Sequence, residues 1–308
     1  MKKRKSKKPK IKAELHTRNL HHERYDLQLL SKSYPALLEF VYTNKYDNET
    51  VDFFNPKAVV ALNRALLKHY YQIDDYPLPD KFLSPPIPGR VDYLHHVADL
   101  LISDKRLDLD DLNKRKIKCL DIGTGANCIY PILGSRIYNW SFVASDIDKK
   151  ALETAQGIID ANAVLEGKIE LRVQANAQSI FDGIIRENEM YDLVTCNPPF
   201  HASAEEARET SLRKLRNLKQ EYITEPTLNF SGTSGELWCV GGEIKFVTDM
   251  IRESKDLASN CHYFTSLVSK KTSLPPIYKM LQQVKAKTVK TILMGKGNKI
   301  SRIVAWRF

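Results

Sequence analysis

The chain has 308 residues, 43% of them hydrophobic, and a formal net charge of +10 from 47 Lys and Arg against 37 Asp and Glu. No apolar run approaches the ~20 residues that span a bilayer, and the charged N-terminus is no signal peptide, so membrane and secreted classes are excluded. The five cysteines, Cys119, Cys128, Cys196, Cys239 and Cys261, form no Cys-x-x-Cys pair, so neither a metal site nor a disulfide framework is expected, and a reducing, cytoplasmic setting is.

The charge is unevenly placed. Residues 1–12 hold eight Lys or Arg and no acid, which leaves the rest of the chain close to neutral. Such a tail is too polar to pack and is expected to be disordered. Its Lys2, Lys3, Arg4 and Lys5 suit phosphates, so it reads as an electrostatic tether to RNA. Residues 13–89 are expected to form a mostly helical, RNA-binding region. Amphipathic spacing predicts helices over 34–41 and 56–67, the second with Asn55 as N-cap and Pro56 in its first turn. A proline-rich linker over 80–90 and a helix over 91–102 follow.

From residue 117 strands and helices alternate. The strands are expected at 117–122, 140–145, 168–173, 191–196, 261–268, 288–294 and 301–307. Helices are expected near 127–138, 149–163, 178–187, 241–257 and 274–284. This alternation gives an α/β fold, a parallel sheet covered on both faces. The short 295–299 connection is a hairpin, so the last strand runs antiparallel. That is the Rossmann-like form used by S-adenosylmethionine-dependent methyltransferases, here over 90–308. Ligands should sit at the carboxyl ends of its strands.

Three motifs carry the chemistry. Asp121-Ile122-Gly123-Thr124-Gly125 turns out of the first strand of the alternating region, with Asn127 opening the next helix. It lacks the third glycine of a dinucleotide fingerprint. Asp146 ends the next strand, where an acid can hold a ribose diol, although it could instead cap the helix from Lys149. Asn197-Pro198-Pro199-Phe200 ends the strand over 191–196. An amine conjugated to a ring is a poor nucleophile. The Asn197 side-chain oxygen and the Pro198 carbonyl can accept its two hydrogens, and this favours the tetrahedral geometry of the transition state. Phe200 offers a stacking face for a flipped base. The stretch over 201–235 contains no strand and carries Arg213 and Lys214, so it is read as a basic lid over the substrate.

These residues resemble a known family, the methyltransferase-16-type RNA adenine-N6-methyltransferases. The resemblance runs from about Lys32 to Phe308. It rests on Pro88-Gly89-Arg90-Val91-Asp92-Tyr93-Leu94-His95, on the glycine turn, on Asn197-Pro198-Pro199-Phe200, on Gly241-Gly242-Glu243-Ile244-Lys245-Phe246-Val247 and on Ser269-Lys270-Lys271-Thr272-Ser273-Leu274. It implies that Arg90, Gly123, Asn127, Asp146 and Asn197 contact the cofactor or the reacting amine, with Asp121 and Gly125 in the same cofactor turn. It also implies that residues 174–178 flank the cofactor adenine. Human-type members have Ser at Asn127 and Glu at Asp146.

The expectation is an enzyme that uses S-adenosylmethionine, and no metal, to methylate N6 of an adenine in 23S (large-subunit) ribosomal RNA. Pro199 completes the motif beside Asn197, Pro198 and Phe200. The partner is the RNA or a ribosome assembly intermediate, no membrane is involved, and a monomer is expected. Two other readings stay open: methylation of a glutamine amide on a translation factor, and a non-catalytic RNA-binding assembly factor.

Overall fold

The computed structural model describes residues 14–79, 82, 84–105, 107–209, 238–296 and 299–308. Lys2, Lys3, Arg4, Lys5, Arg213 and Lys214 lie outside them, as do the tail and most of the expected lid.

The N-terminal region begins with α1 (Leu27–Ser33), capped by the Asp26 carboxylate, which accepts from Leu29 N–H at 2.9 Å. A 3-10 turn over Pro35–Phe40 leads into a hairpin of β1 (Val41–Thr43) and β2 (Glu49–Val51). The hairpin was not expected. Its strands are three residues long and mostly exposed, so they carry little apolar alternation. Its turn is set instead by the Asn44 side chain, which accepts from Tyr46 N–H and Asn48 N–H. Helix α2 (Pro56–Tyr71) starts on Asn55, as expected, and buries Ala58, Ala61, Leu62, Ala65 and Leu66. Helix α3 (Ile87–Lys105) starts before the linker was expected to end, which puts Arg90 in its first turn. A short α4 (Leu109–Lys114) follows, opened by a capping box between Asp108 and Asp111.

Beyond it lie β3 (Lys118–Ile122), α5 (Ile129–Tyr138), β4 (Ser141–Asp146), α6 (Lys149–Asp160), β5 (Ile169–Val173), β6 (Tyr191–Cys196), α7 (Gly242–Ser254), β7 (Cys261–Val268), α8 (Leu274–Gln283), β8 (Thr288–Lys296) and β9 (Lys299–Arg307). Every expected strand is present, with no end off by more than two residues. The sheet order is β5-β4-β3-β6-β7-β9-β8. The first five strands in that order are mutually parallel, and β9 runs antiparallel between β7 and β8. Chain order reverses at β3, with β4 on one side and β6 on the other. That reversal opens a crevice at the carboxyl ends of these strands.

One face of the sheet packs on α3, α5 and α6. Its core continues into the N-terminal region, so that Leu37, Leu66, Val97, Leu133, Leu193 and Ala305 belong to one cluster. The other face packs on α7 and α8 through Val247, Met250, Phe264, Ile277 and Trp306. The helix expected over 178–187 does not form. Glu253 accepts from the N–H groups of Ile180 and Phe181, and the Gln174 amide donates to the carbonyls of Ile180 and Asp182. The backbone groups a helix would pair are thereby taken by side chains, and the segment follows turns.

Candidate functional site

The β3 turn is shaped by its glycines. Gly123 and Gly125 have φ of 70° and 62°, a region costly for residues with a Cβ. The N–H groups of Gly123 and Thr124 donate to the Ser145 carbonyl at 2.9 and 3.0 Å, locking the turn to the end of β4. Asp146 completes the lock. Its carboxylate accepts from Gly125 N–H at 2.8 Å and from Asp148 N–H at 3.0 Å. The cap of α6 is Asp148, which accepts from Lys150 N–H at 2.9 Å, and not Asp146. Burial pushes the Asp146 pKa up, and the backbone donors oppose that shift. Each of its oxygens keeps acceptor capacity beyond the bond it makes, so a diol can still be received.

Asp121 sits at the next level down. It is 2% exposed and accepts from Thr195 Oγ1 at 2.6 Å. Burial raises its pKa to about 7, and the Asp146 charge adds to the effect. Asn127 is buried. Its side-chain oxygen accepts from Ile129 N–H and so starts α5, while its carbonyl accepts from the Tyr76 hydroxyl of the N-terminal region.

Asn197 leaves the end of β6, between buried Cys196 and buried Pro198. The buried Tyr93 hydroxyl accepts from Cys196 N–H at 3.4 Å and is 2.6 Å from Thr265 Oγ1, which fixes the strand end. The Asn197 amide is held from across the molecule. Arg90 Nη1 donates to its Oδ1 at 3.3 Å and to the Tyr130 hydroxyl at 3.2 Å, with the guanidinium 5.5 Å from the Tyr130 ring centroid. An amide oxygen has two lone pairs, so Asn197 can accept one more donor.

A cavity of about 690 Å³ joins these groups. Arg90, Asp121, Gly123, Gly125, Asn127, Asp146 and Asn197 all line it, as does Pro199. This volume lies in the usual range for a small-molecule site. Pro198 and Phe200 are not among its lining residues, and half-buried Phe200 packs against the core. Sequence reasoning did not assign Trp238, Phe246 and Asp249 to the site, and they line the cavity too. Trp238 stands alone at the end of a stretch without periodicity, so nothing local marks it. The Gly241-Gly242-Glu243 motif is explained by packing. A Cβ on Gly242 would meet the backbone of His201 and Ala202 at 3.1 Å, and buried Glu243 accepts from Ser269 N–H and Ser273 Oγ. The Gly241–Val247 and Ser269–Leu274 motifs are thus bonded to each other. Among the described residues there is no group of three or more His, Cys, Asp or Glu arranged to hold a metal, and no helix is long and apolar enough to cross a membrane.

The profile of a family described as RNA methyltransferase matches residues 9–308. The chain is 50% identical over 300 residues to the ribosomal RNA large subunit methyltransferase F of Cytophaga hutchinsonii, covering 97% of this chain and 92% of that one. It is 52% identical over 299 residues to the protein of the same name from Flavobacterium johnsoniae, covering 96% and 94%. Among solved structures it is similar to the human METTL16 catalytic domain in complex with MAT2A 3′UTR hairpin 1, with a TM-score of 0.78, 27% identity and 96% coverage of both chains. It is also similar to the N-terminal domain of human METTL16 in complex with SAH, with a TM-score of 0.75, 26% identity and coverage of 96% and 99%.

Proposed function

Since this chain belongs to the RNA methyltransferase family, we propose that it methylates N6 of a specific adenine in 23S ribosomal RNA, using S-adenosylmethionine. The observation that carries this reading is one cavity reached by both strand ends. Asp146 enters it from β4, and Asn197 enters it from β6. The relatives' names, and the METTL16 domains in complex with RNA or SAH, support the same substrate and cofactor classes.

The cofactor supplies an electrophilic methyl group on a sulfonium. The protein's part is to hold and orient. Asp146 would hold the ribose hydroxyls, and the turn of Asp121, Gly123 and Gly125, with Asn127, would line the rest of the cofactor. Asn197 Oδ1 would accept one hydrogen of the adenine amine, and the Pro198 carbonyl, outside the cavity lining in this structure, would accept the other on base entry, which frees the nitrogen lone pair from the ring. Arg90 keeps the Asn197 amide from rotating. Phe200 lends its exposed part to the flipped base. No strong base is required, because the nitrogen becomes acidic once alkylated. Lys2, Lys3, Arg4, Lys5, Arg213 and Lys214 meet RNA phosphates, and the chain acts as a cytoplasmic monomer on ribosomal RNA or an assembly intermediate.

The test is transfer of labelled methyl to protein-free 23S RNA, with digestion to nucleosides and mass analysis. N6-methyladenosine is the expected product. Label found on a glutamine amide of a translation factor, with none on RNA, overturns the reading.

A further inference from the structure

Cys128 stands where a G-x-G-x-x-G spacing has its third glycine, after Gly123 and Gly125. It keeps a glycine-like backbone all the same. Its φ of 47° and ψ of 35° are left-handed, a conformation that a Cβ makes costly. Gln72 and Asn139 also have positive φ, but each ends a helix, where that conformation satisfies the last carbonyls. Cys128 begins a helix, its side chain makes no cap, and it is fully buried. A residue strained in this way persists only where its surroundings hold it.

The hold comes from the N-terminal region. A helix extended back to Asn127 would pair that residue's carbonyl with the N–H of residue 131, but Pro131 has none. The Tyr76 hydroxyl donates to the Asn127 carbonyl instead, at 3.1 Å, and no other donor reaches it among the described residues. Tyr76 is buried and is itself fixed from two sides. Arg64 Nε of α2 donates to its carbonyl at 3.2 Å, and the Asn162 side chain, just beyond α6, pairs with the N–H and carbonyl of Asp75. The Asp146 end of the glycine turn is locked by nearby backbone groups. The Asn127 end is locked by this tyrosine.

We propose that Tyr76 is a positioning residue of the cofactor site. Its hydroxyl holds the Asn127–Cys128 peptide in the strained orientation and so sets the wall made by Gly125, Asn127 and Ile129. The proposal rests on the reading of the cavity as an S-adenosylmethionine site. Without the hydroxyl, the Asn127 carbonyl is a buried acceptor with no donor, and nothing offsets the strain at Cys128. The peptide then turns toward an unstrained conformation, Asn127 shifts, and the cofactor meets a wall of the wrong shape. A glycine at position 128 would adopt the same backbone unaided. The need for Tyr76 therefore follows from the cysteine.

The test is a double-mutant cycle read by calorimetry with S-adenosylhomocysteine. Tyr76→Phe keeps the ring, removes the hydroxyl and should weaken binding about tenfold. In a Cys128→Gly background the same change should weaken it by no more than about threefold. In a Cys128→Ala background, which lacks the thiol but keeps the Cβ, the loss should stay at about tenfold. In methyl transfer, Tyr76→Phe should raise KM for S-adenosylmethionine about tenfold and leave kcat at saturating cofactor within about twofold. A further readout needs no ligand. The Ile129 amide, which donates to the Asn127 side chain, should exchange with solvent faster in Tyr76→Phe, while amides of β7 exchange as in the wild type. Unchanged affinity in Tyr76→Phe, equal losses in the glycine and alanine backgrounds, or an unchanged Ile129 exchange rate overturns the proposal. A wild-type protein that binds no S-adenosylhomocysteine overturns the cofactor reading instead, and the Ile129 exchange then still decides what Tyr76 holds.

Discussion

The ends of β4 and β6 meet in one cavity but are built by different means. Asp146 is held by backbone N–H groups, one of them only 21 residues away in the adjoining glycine turn. Asn197 is held by a side chain, Arg90, 107 residues away on α3. The β4 half is thus assembled within a single strand-helix-strand unit, β3-α5-β4. The β6 half exists only once α3 has packed across the sheet. Under the proposed function, this difference would separate two tasks, a cofactor grip at Asp146 that forms locally and an amine grip that depends on the whole fold.

The largest test of this division is Asn197→Ala. Single-turnover methyl transfer should fall about 10²–10³-fold, with S-adenosylhomocysteine affinity within about twofold. A comparable loss of cofactor affinity would merge the two halves. Asp146→Ala should do the reverse, weakening cofactor binding by roughly 1.5–3 kcal/mol while RNA affinity, measured by filter binding, holds. Asp121→Asn probes the β4 half through pH. The folded carboxyl, with a pKa of about 7, keeps a proton that the unfolded chain releases near pH 4. Stability from this group therefore falls as pH rises from about 4 to 7, by roughly 4 kcal/mol at about 1.36 kcal/mol per unit. The asparagine variant should lose that slope, so its Tm should drop less than the wild type's between pH 5 and 7. Smallest is Arg90→Lys, which keeps the charge but not the fork geometry. Turnover should fall about tenfold, and more than cofactor affinity does. Equal losses in both would assign Arg90 to the cofactor and not to the Asn197 amide.

The strands were legible because parallel strands covered on both faces leave a nearly unbroken apolar run. In Cys261–Val268 all but one residue is buried. The β1–β2 hairpin was not, because three-residue exposed strands have no such run. The failed helix over 178–187 shows a second limit. Its amides are taken by Glu253, more than 70 residues later in the chain, and no local pattern announces that. The site divides the same way. Gly123, Gly125 and Asp146 could be read from short-range spacing, which a strand-helix-strand unit preserves. The function of Arg90 came only from resemblance, since a residue at a helix start gives no sign of the amide it holds. Trp238 was unreadable, because its place beside His201 is set by a long connection without periodicity.

The core of the N-terminal region runs without a break into the core beneath the sheet, from Leu27 to Ala305. Such continuity makes the two parts one cooperative opening unit, so amides of α2 and β3 should exchange with solvent through the same event. It also makes the molecule a rigid gauge. If the N-terminal region binds RNA, as proposed, the feature it grips would lie at a set distance from Asn197. A one-nucleotide insertion between that feature and the target would then carry the adenine out of reach, however tightly the RNA were bound.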